Sequence, residues 1–302
     1  TEEPFFYELG LHAINNRENF ASDELRDKYR NLLKDTTPAE MSVEDAAGYY
    51  ATLEHIDINM GKLFQKNRDL GLEENTIIVY FSDNGANKRI DGTYLAGIKH
   101  SSGENGVRVP LIFYGAGIPA GKQIDEMACS IDLYPTFCSF AGIDVPNEGD
   151  IDGMSLKPLI DGDLERLPRD YLFFSMETDK YHSVEKVSVV VRSREWKAYA
   201  KMNRAKDLYN MNDDISETTE LSEEYPDVAN QLYAAAYYWR QDLGINPGEP
   251  PDPVAIRGRN VMRSPQIRRV PSTKSYLLNG RQSPGTISKR KFPHNRLIKN
   301  EQ

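Results

Sequence analysis

The chain has 302 residues, of which 39% are hydrophobic and 27% charged, and it carries a formal net charge of -9. This length is enough to bury one large core or two unequal ones, and the composition is typical of a globular protein. No run of about 18 apolar residues occurs, so we expect no membrane span. The first residues also lack the basic and then apolar pattern of a signal peptide, so they say nothing about the compartment.

The charge is spread unevenly along the chain. From Pro247 onward, twelve Lys and Arg residues stand against three acidic ones, which gives this segment +9 and leaves -18 for residues 1–246. The segment is rich in Pro, Arg, Ser and Asn without periodicity, so we predict a mostly irregular tail. Such a tail either covers the acidic body or attracts a polyanion. Nothing in it resembles a nucleic-acid recognition module, so we expect no nucleic-acid partner.

Apolar patterns in the first part of the chain predict a strand and two helices. Residues 4–11 (PFFYELGL) indicate a short buried strand, and residues 15–34 are polar and helix-prone. Ser42 with Asp45 predicts a capping box that opens a helix to about Leu70. Apolar residues recur at helical spacing along this helix, and the face that they form is expected to be buried. It carries Leu53, Ile56, Met60, Leu63 and Phe64.

Two apolar runs, residues 75–81 and 109–114, have the β-branched and aromatic character of parallel strands covered on both faces. Residues 130–141 favour a helix, with Pro135 near the first turn. Helix, buried strand, loop, buried strand and helix then follow each other along the chain. This order predicts an α/β fold with parallel strands.

After about Asp163 the pattern becomes that of a small antiparallel sheet. Residues 170–176, 187–192 and 195–201 indicate its strands, and residues 225–243 an aromatic-rich helix. We therefore predict three parts: a core over 1–162, an antiparallel α+β subdomain over 163–246, and the basic tail over 247–302.

Polar residues directly follow the first of the two predicted core strands. Ser82, Asp83, Asn84 and Gly85 stand at its carboxyl end, where ligands gather in open α/β sheets. A carboxylate and an amide oxygen before a permissive glycine suit a hard cation such as Ca²⁺ or Mg²⁺. The same residues are also typical of an ordinary turn, so this pattern alone leaves both interpretations open.

The next segment, residues 99–110 (KHSSGENGVRVP), favours the cation site over the ordinary turn. Together with Ser82–Gly85 it resembles the sulfatase family, in which a strand ends in S/T-D-N-G and K-x-x-x-x-E-G-G-x-R-x-P leads into the next strand. Asn105 stands where the family usually has the first of the two glycines. The residues in register are Lys99, Glu104, Gly106, Arg108 and Pro110.

Weaker motifs extend the resemblance over residues 4–243. Residues 132–136 (DLYPT) resemble the family's D-L-x-P-T, residues 152–156 (DGMSL) its D-G-x-S-L, and residues 207–214 (DLYNMNDD) its L-Y-D-L-x-x-D-P turn. The resemblance implies an alkaline-phosphatase-like fold. This is a mixed, mainly parallel sheet sandwiched by helices, with a smaller C-terminal antiparallel sheet plus helix subdomain.

The resemblance also implies a sulfuric ester hydrolase and the roles of several residues. Asp83 and Asn84 would be two ligands of one Ca²⁺, or Mg²⁺ in some members, which acts as a Lewis acid. Lys99 would hold the sulfate group and stabilise charge on the leaving oxygen. Glu104 and Arg108 are assigned to structure instead, as an ion pair that shapes the loop.

Two parts of the family's catalytic machinery are absent from this sequence. Sulfatases use a formylglycine made from the Cys or Ser of C/S-x-P-x-R as nucleophile, and neither that pattern nor the paired aspartates of the metal site occurs here. Both lie upstream in the family. We therefore expect this chain to be a C-terminal portion that starts partway through its gene and is inactive alone.

A further departure concerns the family's P-F-F-x-x-x-x-x-H-A-P-H pattern. His12 keeps the first histidine, but Asn15 replaces the second, which contacts sulfate and donates a proton in the family. Asn15 can donate a hydrogen bond to a sulfate oxygen but cannot act as an acid. His100 is a candidate substitute, although a surface histidine is the commoner interpretation.

Two other functions stay open. Sulfate and phosphate are both tetrahedral, so a phosphoesterase of the same superfamily is one, although K-x-x-x-x-E favours sulfate. A non-catalytic sulfatase-like protein that binds sulfated glycans is the other, supported by the missing nucleophile and Asn15. The expected partner is a small-molecule or glycan sulfate ester. Family habit implies a periplasmic, extracellular or lysosomal location, and the sequence does not determine the oligomeric state.

Overall fold

The computed structural model describes residues 4–11, 13, 20–36, 41–86, 95–146, 151–176, 188–201, 205–245 and 247–251. All of them belong to one compact unit, Thr1–Ile267. His12, Asn15 and nearly all of the predicted basic tail therefore lie outside the described residues. No helix in the described ranges is long and apolar enough to cross a bilayer.

Two helices open the described chain, α1 (Asp23–Leu33) and α2 (Val43–Asp69). The predicted cap of α2 is confirmed, because the Ser42 hydroxyl accepts a hydrogen bond from the Asp45 N–H at 3.0 Å. The two helices pack together through the stacked rings of Tyr29 and Tyr50, 5.8 Å apart.

The prediction of a buried apolar face along α2 is wrong for the described part of the chain. Its members are only partly buried, and Leu63 is 41% exposed. The buried part of α2 lies near its beginning, next to α1, where small side chains allow close approach. These buried residues are Ala46, Ala47, Gly48, Ala51 and Thr52.

The two core strands are β1 (Ile77–Phe81) and β2 (Leu111–Gly115). They pair antiparallel, with Phe81 opposite Leu111, so the predicted parallel pairing of these two strands is wrong. The physical reason is the connection, which leaves and re-enters the sheet at the same end, whereas a parallel pair needs a crossover to the other end. Coverage on both faces is also not found, since the Ile112 side chain is 56% exposed.

The predicted strand at residues 4–11 is likewise wrong. This segment forms no strand, and its aromatic residues are largely exposed, with Phe6 at 74%. Aromatic content alone favours a strand, but a strand also needs a neighbour for its backbone N–H and C=O groups. Within the described ranges this segment has none.

The predicted helix near residue 133 is confirmed as α4 (Leu133–Ala141), which follows α3 (Glu104–Val107) and precedes α5 (Lys157–Asp161). Two motifs meet here. The Asp132 carboxylate accepts the Met154 N–H at 2.8 Å, and the Thr136 hydroxyl accepts the Leu156 N–H at 2.8 Å. DLYPT and DGMSL are therefore two halves of one structural unit.

A four-stranded antiparallel sheet in the order β3-β4-β5-β6 follows, and its first three strands confirm the prediction of a small antiparallel sheet. Helix α6 (Pro226–Asp242) packs on it, and Val189, Ala198, Leu208, Leu232 and Ala236 form part of the shared core. The last strand lies where the sequence indicated a turn, and the boundaries at 162 and 246 remain predictions. The strands are β3 (Leu172–Met176), β4 (Ser188–Arg192), β5 (Trp196–Ala200) and β6 (Ala205–Asn210).

Candidate active site

The turn that follows β1, residues 82–86, is closed by its own side chains. The Ser82 hydroxyl donates to the Asn84 carbonyl at 2.9 Å, and Asn84 Nδ2 donates to the Gly85 carbonyl at 2.8 Å. The amide nitrogen of Asn84 is thus engaged, and its Oδ1 makes no hydrogen bond to any described residue. The Asp83 carboxylate is exposed and has no hydrogen bond or ion pair in the described ranges.

The Lys99 loop, defined as residues 96–106, is hydrogen-bonded to this turn. The Gly85 N–H donates to the Gly106 carbonyl at 2.9 Å, and the Ala86 N–H donates to the Asn105 carbonyl at 3.0 Å. In return the Lys99 N–H donates to the Ala86 carbonyl at 2.8 Å. The structure therefore brings the backbone of Lys99 against the turn that carries Asp83 and Asn84.

Two glycines allow this close approach. A Cβ atom on Gly85 would lie 1.9 Å from the Asn105 carbonyl oxygen, and one on Gly106 would lie 2.3 Å from the Ser101 carbonyl oxygen. Neither distance is possible for real atoms, and backbone atoms cannot swing aside as a flexible side chain can. Gly85 is therefore required by the contact between turn and loop, and Gly106 by the close packing of backbone within the Lys99 loop itself.

Asn105 shows how the departure from the family pattern is accommodated. Its N–H donates to the Ala96 carbonyl at 2.9 Å, and its side-chain Nδ2 donates to the Gly97 carbonyl at 3.0 Å. The asparagine thus adds a hydrogen bond across the Lys99 loop that a glycine could not make.

The side chains of Lys99 and His100 differ in their surroundings. Lys99 is half-buried, and its ammonium makes no hydrogen bond or ion pair with a described residue. His100 is exposed and has φ of +70°, a backbone conformation that few residues other than glycine adopt. These features fit a surface histidine at the loop tip, and its role as a proton donor stays a prediction. Asn15 lies outside the described residues.

The predicted ion pair between Glu104 and Arg108 forms, with Arg108 Nη1 3.5 Å from Glu104 Oε2. A closer partner was missed in the sequence: Lys197 of β5, whose Nζ donates to Glu104 Oε1 at 3.0 Å. Lys197 is completely buried. The alternation of β5 contains a signal, because Lys197 and Tyr199 share the face opposite to the apolar core face.

Glu217 completes this buried cluster and was also missed. Its Oε1 accepts from the Glu104 N–H and from Lys197 Nζ, both at 2.8 Å, and its Oε2 accepts from the Tyr199 hydroxyl at 2.6 Å. Burial and the hydrogen bond to Glu217 raise the pKa of Tyr199. Burial lowers the pKa of the neighbouring Arg192 guanidinium. No local motif marks Glu217, because its partners are far away in sequence.

The turn offers part of a cation site. Asp83 and Asn84 supply two oxygen donors that no described residue occupies, which fits a hard cation such as Ca²⁺. Ca²⁺ takes roughly six to eight oxygen ligands, so two residues form only a part of such a site. The described ranges contain no cluster of three His, Cys, Asp or Glu side chains that could hold a metal by itself.

Two family models match this chain. The first is Sulfatase, which matches residues 2–143, and the second is N-sulphoglucosamine sulphohydrolase, C-terminal, which matches residues 99–240. They overlap in the segment that begins with Lys99 and together run from residue 2 to residue 240.

The related proteins with curated names are also sulfatases. The chain is 28% identical over 195 residues to Arylsulfatase K of Bos taurus, which covers 62% of this chain and 35% of that protein. It is 37% identical over 124 residues to N-acetylglucosamine-6-O-sulfatase of Bacteroides thetaiotaomicron, which covers 41% of this chain and 21% of that protein. The chain thus spans about a third or less of the length of these relatives.

A solved structure supports the fold. Ps i-CgsB in complex with k-i-k-neocarrahexaose matches with a TM-score of 0.63 at 25% identity, over 80% of this chain and 52% of that one. The structural neighbours have the alkaline-phosphatase-like α/β fold, which confirms the predicted fold class. The antiparallel β1–β2 pair is compatible with the mixed sheet of that prediction. Turn and loop motifs, two family models and these relatives agree, and the chain is similar to sulfatases over residues 2–240.

Proposed function

We propose that the protein to which this chain belongs hydrolyses sulfate esters, and that the turn after β1 and the Lys99 loop form part of its active site. The observation that carries this proposal is the hydrogen bonding between Gly85, Ala86, Lys99, Asn105 and Gly106. It joins two candidate metal ligands and a candidate sulfate-binding cation at the carboxyl end of one strand. The match of residues 2–143 to the Sulfatase family model supports the reaction type.

The proposed role of the turn is to bind a divalent cation through the Asp83 carboxylate and Asn84 Oδ1. Ca²⁺, or Mg²⁺ as the alternative, would supply Lewis-acid polarisation of a sulfate oxygen when bound. The formylglycine nucleophile of the family would come from a part of the protein outside this sequence. In this turn, the Ser82 hydroxyl holds the Asn84 backbone, and the hydrogen bond of the Asn84 amide nitrogen orients Asn84 Oδ1.

The proposed role of Lys99 is to bind the sulfate group and to offset negative charge that develops on the leaving oxygen. Its ammonium makes no ion pair with a described residue, so its charge is available to an anion. A cation that is fixed before the reaction needs no reorganisation in the transition state. The backbone hydrogen bond to Ala86 and the glycine contacts of the loop fix the Lys99 backbone from which the ammonium extends.

We propose a sulfated carbohydrate as the substrate class. The matching C-terminal family model is described as N-sulphoglucosamine sulphohydrolase, and one relative is an N-acetylglucosamine-6-O-sulfatase. A structural neighbour was solved with a neocarrahexaose. A contact of Asn15 with the sulfate, a proton-donating role of His100, and a periplasmic, extracellular or lysosomal location remain predictions.

The test uses the full-length protein from its native source, with para-nitrophenyl sulfate, para-nitrophenyl phosphate and an O-sulfated glucosamine as probes. We expect sulfate release that stops on chelation of divalent cations. Asp83→Ala or Lys99→Ala should lower kcat/KM by about 100-fold or more. Lys157→Ala is the matched control, because this half-buried lysine pairs with Asp161 away from the site and should retain activity.

The other outcomes decide between the alternatives. Preference for the phosphate probe would contradict the sulfatase proposal and favour a phosphoesterase. Tight binding of the sulfated sugar without turnover would favour a glycan-binding protein. Equal loss of activity in Lys157→Ala and Lys99→Ala would show that the Lys99 effect is not specific to the loop.

A further inference from the structure

The Lys99 loop is attached to the antiparallel sheet by a buried charged cluster. Glu104, at the end of the loop, is 5% exposed, Lys197 of β5 is fully buried, and the Glu217 side chain is 2% exposed. Lys197 Nζ lies between the two carboxylates, at 3.0 Å from Glu104 and 2.8 Å from Glu217. Both partners of Glu104 lie far from it in sequence.

We propose that Lys197 and Glu217 are positioning residues for Lys99, so that the antiparallel sheet helps to set the geometry of the active site. This inference rests on the proposed function, because that function gives Lys99 the role that its position would affect. The contacts by which the loop is held are independent of that function.

The contacts form a continuous series from sheet to turn. Glu217 Oε1 accepts the Glu104 N–H at 2.8 Å, which fixes the start of α3. The next two residues, Asn105 and Gly106, accept the N–H groups of the turn after β1 through their carbonyls. The Ala86 carbonyl of that turn then accepts the Lys99 N–H. Each step is either a direct hydrogen bond or the covalent backbone of residues 104–106, so displacement of Glu104 is transmitted to Lys99.

Electrostatics makes the cluster act as a unit. A fully buried ammonium is tolerated because two carboxylates surround it, and removal of Lys197 would leave two buried carboxylates without their shared counterion. The Arg108 pair differs, because the Arg108 side chain is 57% exposed and its charge is screened by water. Lys197 is therefore the principal cation of the cluster.

The backbone conformation of Glu217 also indicates that tertiary contacts constrain this residue. Its φ is +54°, in the left-handed region that residues with a Cβ seldom adopt. The four hydrogen bonds of Glu217, to Glu104, Lys197, Tyr199 and the Asp214 carbonyl, hold this conformation. Local sequence preference does not explain it.

The kinetic test is a double-mutant cycle in the full-length protein with para-nitrophenyl sulfate as substrate. We expect Glu217→Ala to lower kcat/KM by about tenfold or more when Lys99 is present, but by less than about twofold in the Lys99→Ala background. Glu217→Gln should recover most of the loss, because its amide oxygen can still accept the Glu104 N–H. Full and equal losses in both backgrounds would overturn the inference.

The matched control is Glu126→Ala. Glu126 is as buried as Glu217, at 2% side-chain exposure, and it is bound by Arg194 at 2.8 Å, but it does not contact the Lys99 loop. It should change kcat/KM by less than about twofold, since a general loss of stability does not act through Lys99.

A second measurement does not depend on activity. Hydrogen exchange of the Lys99, Asn105 and Gly106 amides should accelerate about tenfold or more in Glu217→Ala and not in Glu126→Ala. If Glu217→Ala does not fold, Tyr199→Phe replaces it, because it removes only the hydrogen bond to Glu217 Oε2. Unchanged exchange of these amides in Glu217→Ala, or in Tyr199→Phe where Glu217→Ala does not fold, would overturn the inference.

The two readouts separate the inference from the proposed function. Sulfate hydrolysis with independent kinetic losses and unchanged exchange would overturn the positioning role and leave the sulfatase proposal intact. No hydrolysis of any sulfate probe, together with selective loosening of the loop, would contradict the sulfatase proposal and support the positioning contact.

Discussion

At the scale of single residues, the strongest constraints come from charged groups that are removed from water. Asp132 is the clearest case, since its carboxylate is fully buried and accepts the N–H groups of Cys129 and Met154, both at 2.8 Å. The same carboxylate binds both terminal nitrogens of Arg169, one of them at 3.0 Å. A planar guanidinium matches a carboxylate in this two-point arrangement, which lysine could not reproduce.

Asp132→Asn should therefore be strongly destabilising. It leaves the buried Arg169 guanidinium without its counterion, which costs about 3–5 kcal/mol in comparable cases. The measurement is urea unfolding followed by circular dichroism. Asp161→Asn is the control, because it breaks the more accessible pair with Lys157 and should cost about 0.5 kcal/mol. Similar losses in the two variants would contradict the assignment of Asp132 as a structural centre.

Gly85→Ala tests the contact between turn and loop. The added Cβ would meet the Asn105 carbonyl at 1.9 Å, so turn and loop must separate. We expect a loss of about 1–3 kcal/mol in unfolding free energy and faster exchange of the Ala86 amide. Gly61→Ala in α2 is the matched control, because its Cβ meets no atom within 4 Å and alanine should stabilise a helix by about 0.5–1 kcal/mol. A neutral Gly85→Ala would contradict the contact.

At the scale of elements, the two faces of the antiparallel sheet have different contacts. One face packs on α6 through small and branched residues such as Val189, Ala198 and Ala236. The other face carries Lys197 and Tyr199 toward Glu217. The rings of Tyr199 and Tyr209 meet edge to face at 6.3 Å, so two hydroxyl groups lie near the buried carboxylates of this face.

This arrangement predicts a loss of stability at alkaline pH. Burial raises the pKa of Tyr209 to about 12, and burial and Glu217 also raise the pKa of Tyr199. A raised folded-state pKa means that the folded protein holds its proton more tightly than the unfolded chain. The stabilisation is complete below the unfolded pKa of about 10 and is lost as pH rises toward the folded value.

The measurement is the free energy of unfolding between about pH 8 and pH 11. We expect it to fall with rising pH above about 10, and to fall less steeply in Tyr209→Phe, which has no hydroxyl to ionise. A wild-type curve that is flat across this interval would contradict the prediction.

At the scale of the whole molecule, the candidate site depends on parts that are distant in sequence. The turn after β1 and the Lys99 loop supply Asp83, Asn84 and Lys99, while the sheet supplies Lys197 and Glu217. A bound cation would add a further connection, because a ligand that binds only the folded state stabilises it.

Metal removal should therefore lower the melting temperature of the full-length protein. With Ca²⁺ present well above its dissociation constant, we expect chelation to lower Tm by about 3 °C or more. In the presence of Ca²⁺, Asp83→Asn should already have a Tm close to that of the chelated wild type, and chelation should change it little. Asp161→Asn should respond to chelation like the wild type. An equal shift in Asp83→Asn would exclude Asp83 as a ligand.

Much of the fold was predictable from local sequence. The Ser42 cap, helices α2 and α4, and three strands of the antiparallel sheet follow from hydrophobic periodicity and capping residues. The candidate site residues Asp83, Asn84 and Lys99 were proposed from the sequence because the motifs that resemble those of sulfatases are also local. Gly85 and Gly106 then mark where backbone approaches backbone.

Tertiary structure decided the remaining features. The antiparallel pairing of β1 with β2, the exposure of residues 4–11 and the strand β6 all depend on which segment becomes a neighbour. Lys197 and Glu217 were missed for the same reason, because no short pattern encodes a partner that lies about a hundred residues away. By itself the sequence determined the four longer helices and most strands, because these depend on neighbours along the chain, and it also supplied the candidate site residues. Only the fold decided how the Lys99 loop is held, because a buried ion cluster exists only after distant segments have excluded water from it.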